Sequence, residues 1–88
     1  MSPDAGRPIP DVDVTEVDGR FFLLHPTDSR VMVLNQSAYA VWEAWHHASD
    51  FEALVGEVAE VFAEPAAEIR ADVRAALDDF SVHGFLAG

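Results

Sequence analysis

The chain contains neither cysteine nor lysine. Without thiols there is no disulfide framework, no thiolate metal ligand and no thiol nucleophile, and nothing calls for an oxidising compartment. Five arginines face 16 acidic residues, leaving a net charge of −11. A duplex-binding domain gains most of its affinity by neutralising phosphates with Lys and Arg. A field of this sign instead repels nucleic acid and anionic lipid alike. Long apolar runs are also missing, since no stretch approaches the ~18–20 residues that span a bilayer. Residues 1–10 are polar and hold three prolines and a glycine, with no apolar core of a secretory signal. Neither nucleic acid nor membrane is expected as a partner, and the cytoplasm is the expected location.

Catalytic signatures are absent in the same way. There is no glycine-rich phosphate loop, no HExxH spacing and no nucleophile elbow around Ser29, Ser37, Ser49 or Ser81. His46 and His47 are adjacent, so on a helix they point about 100° apart and cannot share an ion as an i, i+4 pair does. His25 and His83 lie far from them in sequence. Carboxylate pairs such as Asp78–Asp79 and Glu57/Glu60 fall on polar faces of predicted helices, whereas acid–base chemistry needs a partly dry cleft. The expectation is no catalytic residue, no metal and no cofactor.

What is present is a core. Half of the 88 residues are hydrophobic, with six phenylalanines, two tryptophans and one tyrosine. One domain of this length buries about 60–65% of the surface its unfolded chain exposes. Residues 1–10 are expected as a mobile tail and residues 11–88 as the domain. Val12, Val14 and Val17 mark a strand-like segment. Asp18-Gly19 then predicts a two-residue hairpin turn. Residues 20–25 return as a strand that is apolar throughout and so expected to be central. Turn residues 26–29 lead to a third, short strand over residues 30–34. Three strands joined by two tight turns make an antiparallel meander, with the third at an edge.

At Asn35, a good N-cap, the apolar period changes from 2 to 3.6. Ala38, Val41, Trp42 and Trp45 form the first helical stripe. Ser49 and Glu52 have capping-box spacing, followed by Phe51, Leu54, Val55, Val58, Val61 and Phe62. Pro65 suits the first position of a third helix, whose stripe is Ile69, Val73, Ala76, Leu77 and Phe80, with Gly84 closing it. The fold class is α+β, three strands followed by three helices.

Several of these residues stand together in a known pattern. Asp18-Gly19 with Phe22-Leu23-Leu24, then Leu34-Asn35-x-Ser37-Ala38-x-Ala40-Val41-Trp42, and finally Asp72-Val73, Leu77, Phe80 and Gly84-Phe85-Leu86 resemble the PqqD-like family. These are leader-peptide recognition domains of pathways that modify ribosomally made peptides. The resemblance spans nearly all the chain beyond the tail. It implies a winged-helix-like fold and a non-catalytic function. The leader of a precursor peptide would add as a strand beside the third strand, in a groove against the third helix. The domain would then present it to a modifying enzyme or leader peptidase. The implied site is Arg30, Val31, Met32, Val33 and Leu34 on the strand with Val73 and Leu77 on the helix.

The strand reading agrees with sheet physics, because an apolar edge is either a liability or a docking site. A proline at Val31 or Val33 would remove an edge donor, and only one of the two amides is expected to face the ligand. Arg70 and Arg74, four apart, share one helix flank. With Arg30 they are expected to rim the groove and to select an acidic, apolar leader. Two alternatives use the same features: a winged-helix DNA-binding domain, and a plain dimerisation module (a homodimer through the edge strand).

Overall fold

A computed structural model describes residues 6–87 of the chain. The hairpin signal at Asp18-Gly19 acts as read. Both residues take positive φ, +52° and +79°, which joins strand β2 (Asp13–Val17) to β3 (Arg20–Leu24) with Val17 opposite Arg20. A second turn leads to β4 (Val31–Leu34), antiparallel to β3 with Leu24 opposite Val31 and Phe21 opposite Leu34. The sheet order is β2-β3-β4, so β4 is an edge. Before them, the short β1 (Arg7–Pro8) pairs with β5 (Leu86–Ala87) at the other end of the chain.

Three helices follow the sheet, α1 (Gln36–Ala44), α2 (Phe51–Phe62) and α3 (Ala66–Val82). The Asn35 side chain caps α1 by accepting the Ala38 amide at 2.8 Å. The second cap lies one residue later than the capping-box spacing suggests. Asp50, not Ser49, is the cap, its carboxylate accepting the Ala53 amide at 2.8 Å. Pro65 likewise sits just outside α3, at ψ 140°. Gly84 closes α3 at φ +84°. Its amide and that of Phe85 return to the Ser81 and Phe80 carbonyls at 3.1 and 2.9 Å, the paired bonds that satisfy a helix end.

The α2 end uses the same bond pair with a less suitable residue. Glu64 and Ala63 donate to the Ala59 and Glu60 carbonyls, and Ala63 holds φ +53°. A Cβ in the left-handed region costs roughly 1–2 kcal/mol, which glycine avoids. Ala63→Gly is therefore expected to stabilise the domain by about 0.5–1 kcal/mol and to raise Tm by about 2–8 °C. Thermal denaturation followed by circular dichroism checks this, and an unchanged or lower Tm contradicts it.

The core joins one sheet face to the helices. Leu23, Met32 and Leu34 from the sheet meet Trp42 and Trp45 of the first helical segment, Leu54 and Val58 of α2, and Val73, Leu77 and Phe80 of α3. Phe85 closes it, edge-on to Trp42. β3 is central, as expected, but only one of its faces is covered. Leu24 on the other face is 41% exposed, and Phe22 is half-buried.

Within the span expected as a tail, Gly6 to Pro8 are tied to the fold. Gly6 accepts the Trp45 indole N–H at 2.8 Å. The Arg7 guanidinium donates to the Trp45, Ala48 and Ser49 carbonyls and lies 3.9 Å over the Trp45 ring. The last turn of α1 carries no basic residue, and Arg7 places a cation just past its end, on the Trp45 cap carbonyl and those of the following turn, where the helix dipole favours one. The rest of that expectation, residues 1–5, lies outside the described residues.

Candidate functional site

Strand parity decides what β4 offers. The His25 amide donates to the Arg30 carbonyl at 3.0 Å, which makes that opposed pair a bonded one. Bonded and non-bonded pairs alternate along an antiparallel ladder. With the observed register, Met32 and Leu34 bond to Leu23 and Phe21. Val31 and Val33 turn their amides and carbonyls away from β3. Both amides therefore face the free edge, not one of the two, because residues two apart point the same way.

Side chains follow the same alternation. Met32 and Leu34 are buried toward the helices, while Val31 and Val33 are each 52% exposed on the outer face. Just past the C-terminal end of β4, from Asn35 onward, a cavity of about 390 Å³ opens among α1, α2 (Val58 and Phe62) and α3. Asn35, Ala38 and Val41 line one side, and Ile69, Val73 and Ala76 the other. Val73 thus lines the cavity. Leu77 lies fully inside the core, supporting that wall from behind.

The arginines are not gathered there. Arg30 reaches the far end of α3, donating to the His83 carbonyl at 2.9 Å and pairing with Asp28 at 3.4 Å. Its guanidinium occupies the space a Cβ on Gly84 would need, 2.6 Å away. His25 joins it there, bonding the Gly84 carbonyl and packing edge-on against Phe85. Arg70 forms a bidentate pair with Glu52, with one bond at 2.8 Å. That hydrogen bond holds the Glu52 carboxyl below its ordinary range and the guanidinium above its own. Arg74 stacks on Phe51, 4.2 Å from the ring centroid. Both therefore face the N-terminus of α2. Thirteen residues of helix, roughly 20 Å, separate Arg70 from the carbonyl that holds Arg30. The expectation of one basic rim is corrected accordingly.

The charged side chains that line the cavity are acidic. Glu64, Asp72 and Asp79 border it, with Asn35 and Ser37 as neutral polar neighbours and no arginine or histidine. The signal was in the sequence: Asp72 and Asp79 flank the α3 stripe on the side opposite Arg70 and Arg74. The histidines are tied elsewhere. His46 bonds the Trp42 carbonyl, His47 pairs with Glu57, and His83 bonds the Asp79 carbonyl. Among the described residues no group of three metal-ligating side chains comes together, and no helix is long and apolar enough to cross a membrane.

These features define a small α+β domain with an open edge strand and, past the end of that strand, a cavity lined by all three helices. The family described as coenzyme PQQ synthesis protein D (PqqD) matches residues 20–86, and the chain belongs to that family. The match runs from β3 through α3 to β5. Among solved structures, TbiB1 in complex with the TbiA(beta) leader peptide superposes with a TM-score of 0.76, covering 93% of this chain and 95% of that one at 17% identity. At that identity the likeness is one of fold. No curated protein matches the chain.

Proposed function

We propose that this domain captures the leader segment of a ribosomally made precursor peptide by strand addition to β4, and presents it to a modifying enzyme or leader peptidase without catalysing a reaction itself. The observation that carries the reading is the pair of free-edge residues, Val31 and Val33, whose backbone groups point away from β3. Family membership and the fold shared with a leader-bound protein support it.

The energetics are adequate. Four backbone hydrogen bonds at about 0.5–1.5 kcal/mol each and two buried apolar side chains at about 1.5–3 kcal/mol each give about 5–12 kcal/mol before costs. Association and ordering cost about 4 kcal/mol or more. The upper end leaves about 8 kcal/mol, a micromolar dissociation constant. α3 is poorly suited to a phosphate-lined groove, because Glu68, Asp72, Asp78 and Asp79 are exposed along it.

Amide hydrogen exchange tests the reading. A precursor leader peptide that the domain binds should slow exchange at Val31 and Val33. Met32 and Leu34, already bonded to β3, should change little. Protection confined to the helices, or none with a saturating peptide, would refute strand addition.

A further inference from the structure

From the lining of the groove we infer that the leader this domain accepts is basic where it meets α3. This rests on the leader-binding reading and names the chemistry that the same site selects. Asp72 and Asp79 are seven residues apart, two turns along one flank of α3, or roughly 10 Å. Glu64 stands at the α2–α3 corner and borders the same cavity. Among the described residues none of the three carboxylates has a basic partner: the ion pairs present use Asp28, Glu52 and Glu57.

The nearest arginines are held elsewhere, Arg30 at the end of α3 and Arg70 and Arg74 against the start of α2. The groove floor remains apolar, with Val73, Ala76 and Val41. The complementary ligand is an extended peptide with apolar side chains for that floor and lysine or arginine flanking them. Ala75 and Ala76 leave room along the α3 wall for long basic stems to lie flat. An acidic leader meets three like charges here, a local part of the −11 of the whole chain, whereas a basic one is steered toward the groove by the local and the overall field alike.

Selection from a displayed library of random twelve-residue peptides, panned on the full chain, tests this. Binders are counter-selected against a V31P/V33P double variant that circular dichroism shows to be folded. Slowed Val31 and Val33 exchange in the unaltered domain gives an independent measure of edge binding. Edge-dependent binders should be enriched in Lys and Arg over Asp and Glu. Changing their basic residues to glutamate should weaken binding at least tenfold. A D72K/D79K domain should reverse that preference, while D13K/D78K, equal in charge change but outside the groove lining, should not. Edge-dependent binders that are neutral or acidic would overturn the charge inference and leave leader binding standing, as would a reversal by both variants alike. Absence of any edge-dependent binder would overturn both.

Discussion

Replacing Trp42 with alanine is expected to cost about 3–5 kcal/mol and to lower Tm by roughly 15–25 °C. The indole is 2% exposed and meets three rings edge-on: Phe80 at 5.3 Å, Phe85 at 6.2 Å and His46 at 5.1 Å. Two of these partners belong to α3 and the segment that follows it, so Trp42 joins the first helix to the end of the last. Truncation leaves a cavity between α1 and the Phe80 and Phe85 rings, and a packed core closes on such a void only in part. A domain of this size has a total stability of about 4–13 kcal/mol, so the variant would sit near the threshold of folding. Val61→Ala provides the contrast. Val61 falls on the same kind of apolar stripe but is 69% exposed, and its loss should stay within about 0.5 kcal/mol. Urea titration of both variants separates the outcomes. A Trp42→Ala midpoint close to that of Val61→Ala would mean that Trp45 and its N-terminal partners organise the core instead.

Val61 also shows where sequence reading stops. Hydrophobic period identified every main element, because three local devices agreed with it: Asp18-Gly19 for the hairpin, Asn35 for the switch from strand to helix, and Gly84 for the end of α3. Period does not state which residues on a stripe have a neighbour to pack against. Val61 lies near the end of α2, where no element among the described residues covers it. The same limit explains Leu24 and Val33, apolar residues on a sheet face that the helices do not reach. β1 and β5 were not legible at all. Two residues each, one of them Pro8, carry no periodicity, and their pairing depends on where Arg7 and the Trp45 indole meet.

The site was legible to a similar depth. Meander order alone makes the third strand an edge, and that edge is β4. Helical spacing correctly put Arg70 and Arg74 on one flank of α3, but spacing cannot tell which flank turns toward the strand and which toward α2. Packing of α2 on α3 decides it, bringing Glu52 and Phe51 to the arginines and leaving Asp72 and Asp79 to the groove. A pair of arginines four apart thus gave the right geometry with the wrong neighbour. The sign of the expected ligand charge changed with it.

Proline at Val33 is expected to weaken leader binding roughly a hundredfold while leaving the domain folded. The amide it removes points to the free edge, so no bond to β3 is lost, and the valine side chain is half-exposed. Proline is tolerated in edge strands on these grounds, and Met32 before it already has the extended backbone that a following proline requires. In the complex the substitution removes one hydrogen bond, about 0.5–1.5 kcal/mol, and strands the ligand carbonyl opposite, about 1–3 kcal/mol. A sum near 3 kcal/mol corresponds to about two decades of affinity. Val31→Pro should act in the same direction, because its amide faces the same edge. Met32→Pro should behave differently, breaking a ladder bond to Leu23 and disturbing a buried side chain, so that the fold itself fails. Calorimetric titration with the leader peptide, paired with a thermal melt of each variant, distinguishes the cases. Unchanged affinity in both Val31→Pro and Val33→Pro would show that the peptide does not add to β4. Unfolding of Val33→Pro to the same extent as Met32→Pro would show that the parity assigned to the ladder is reversed.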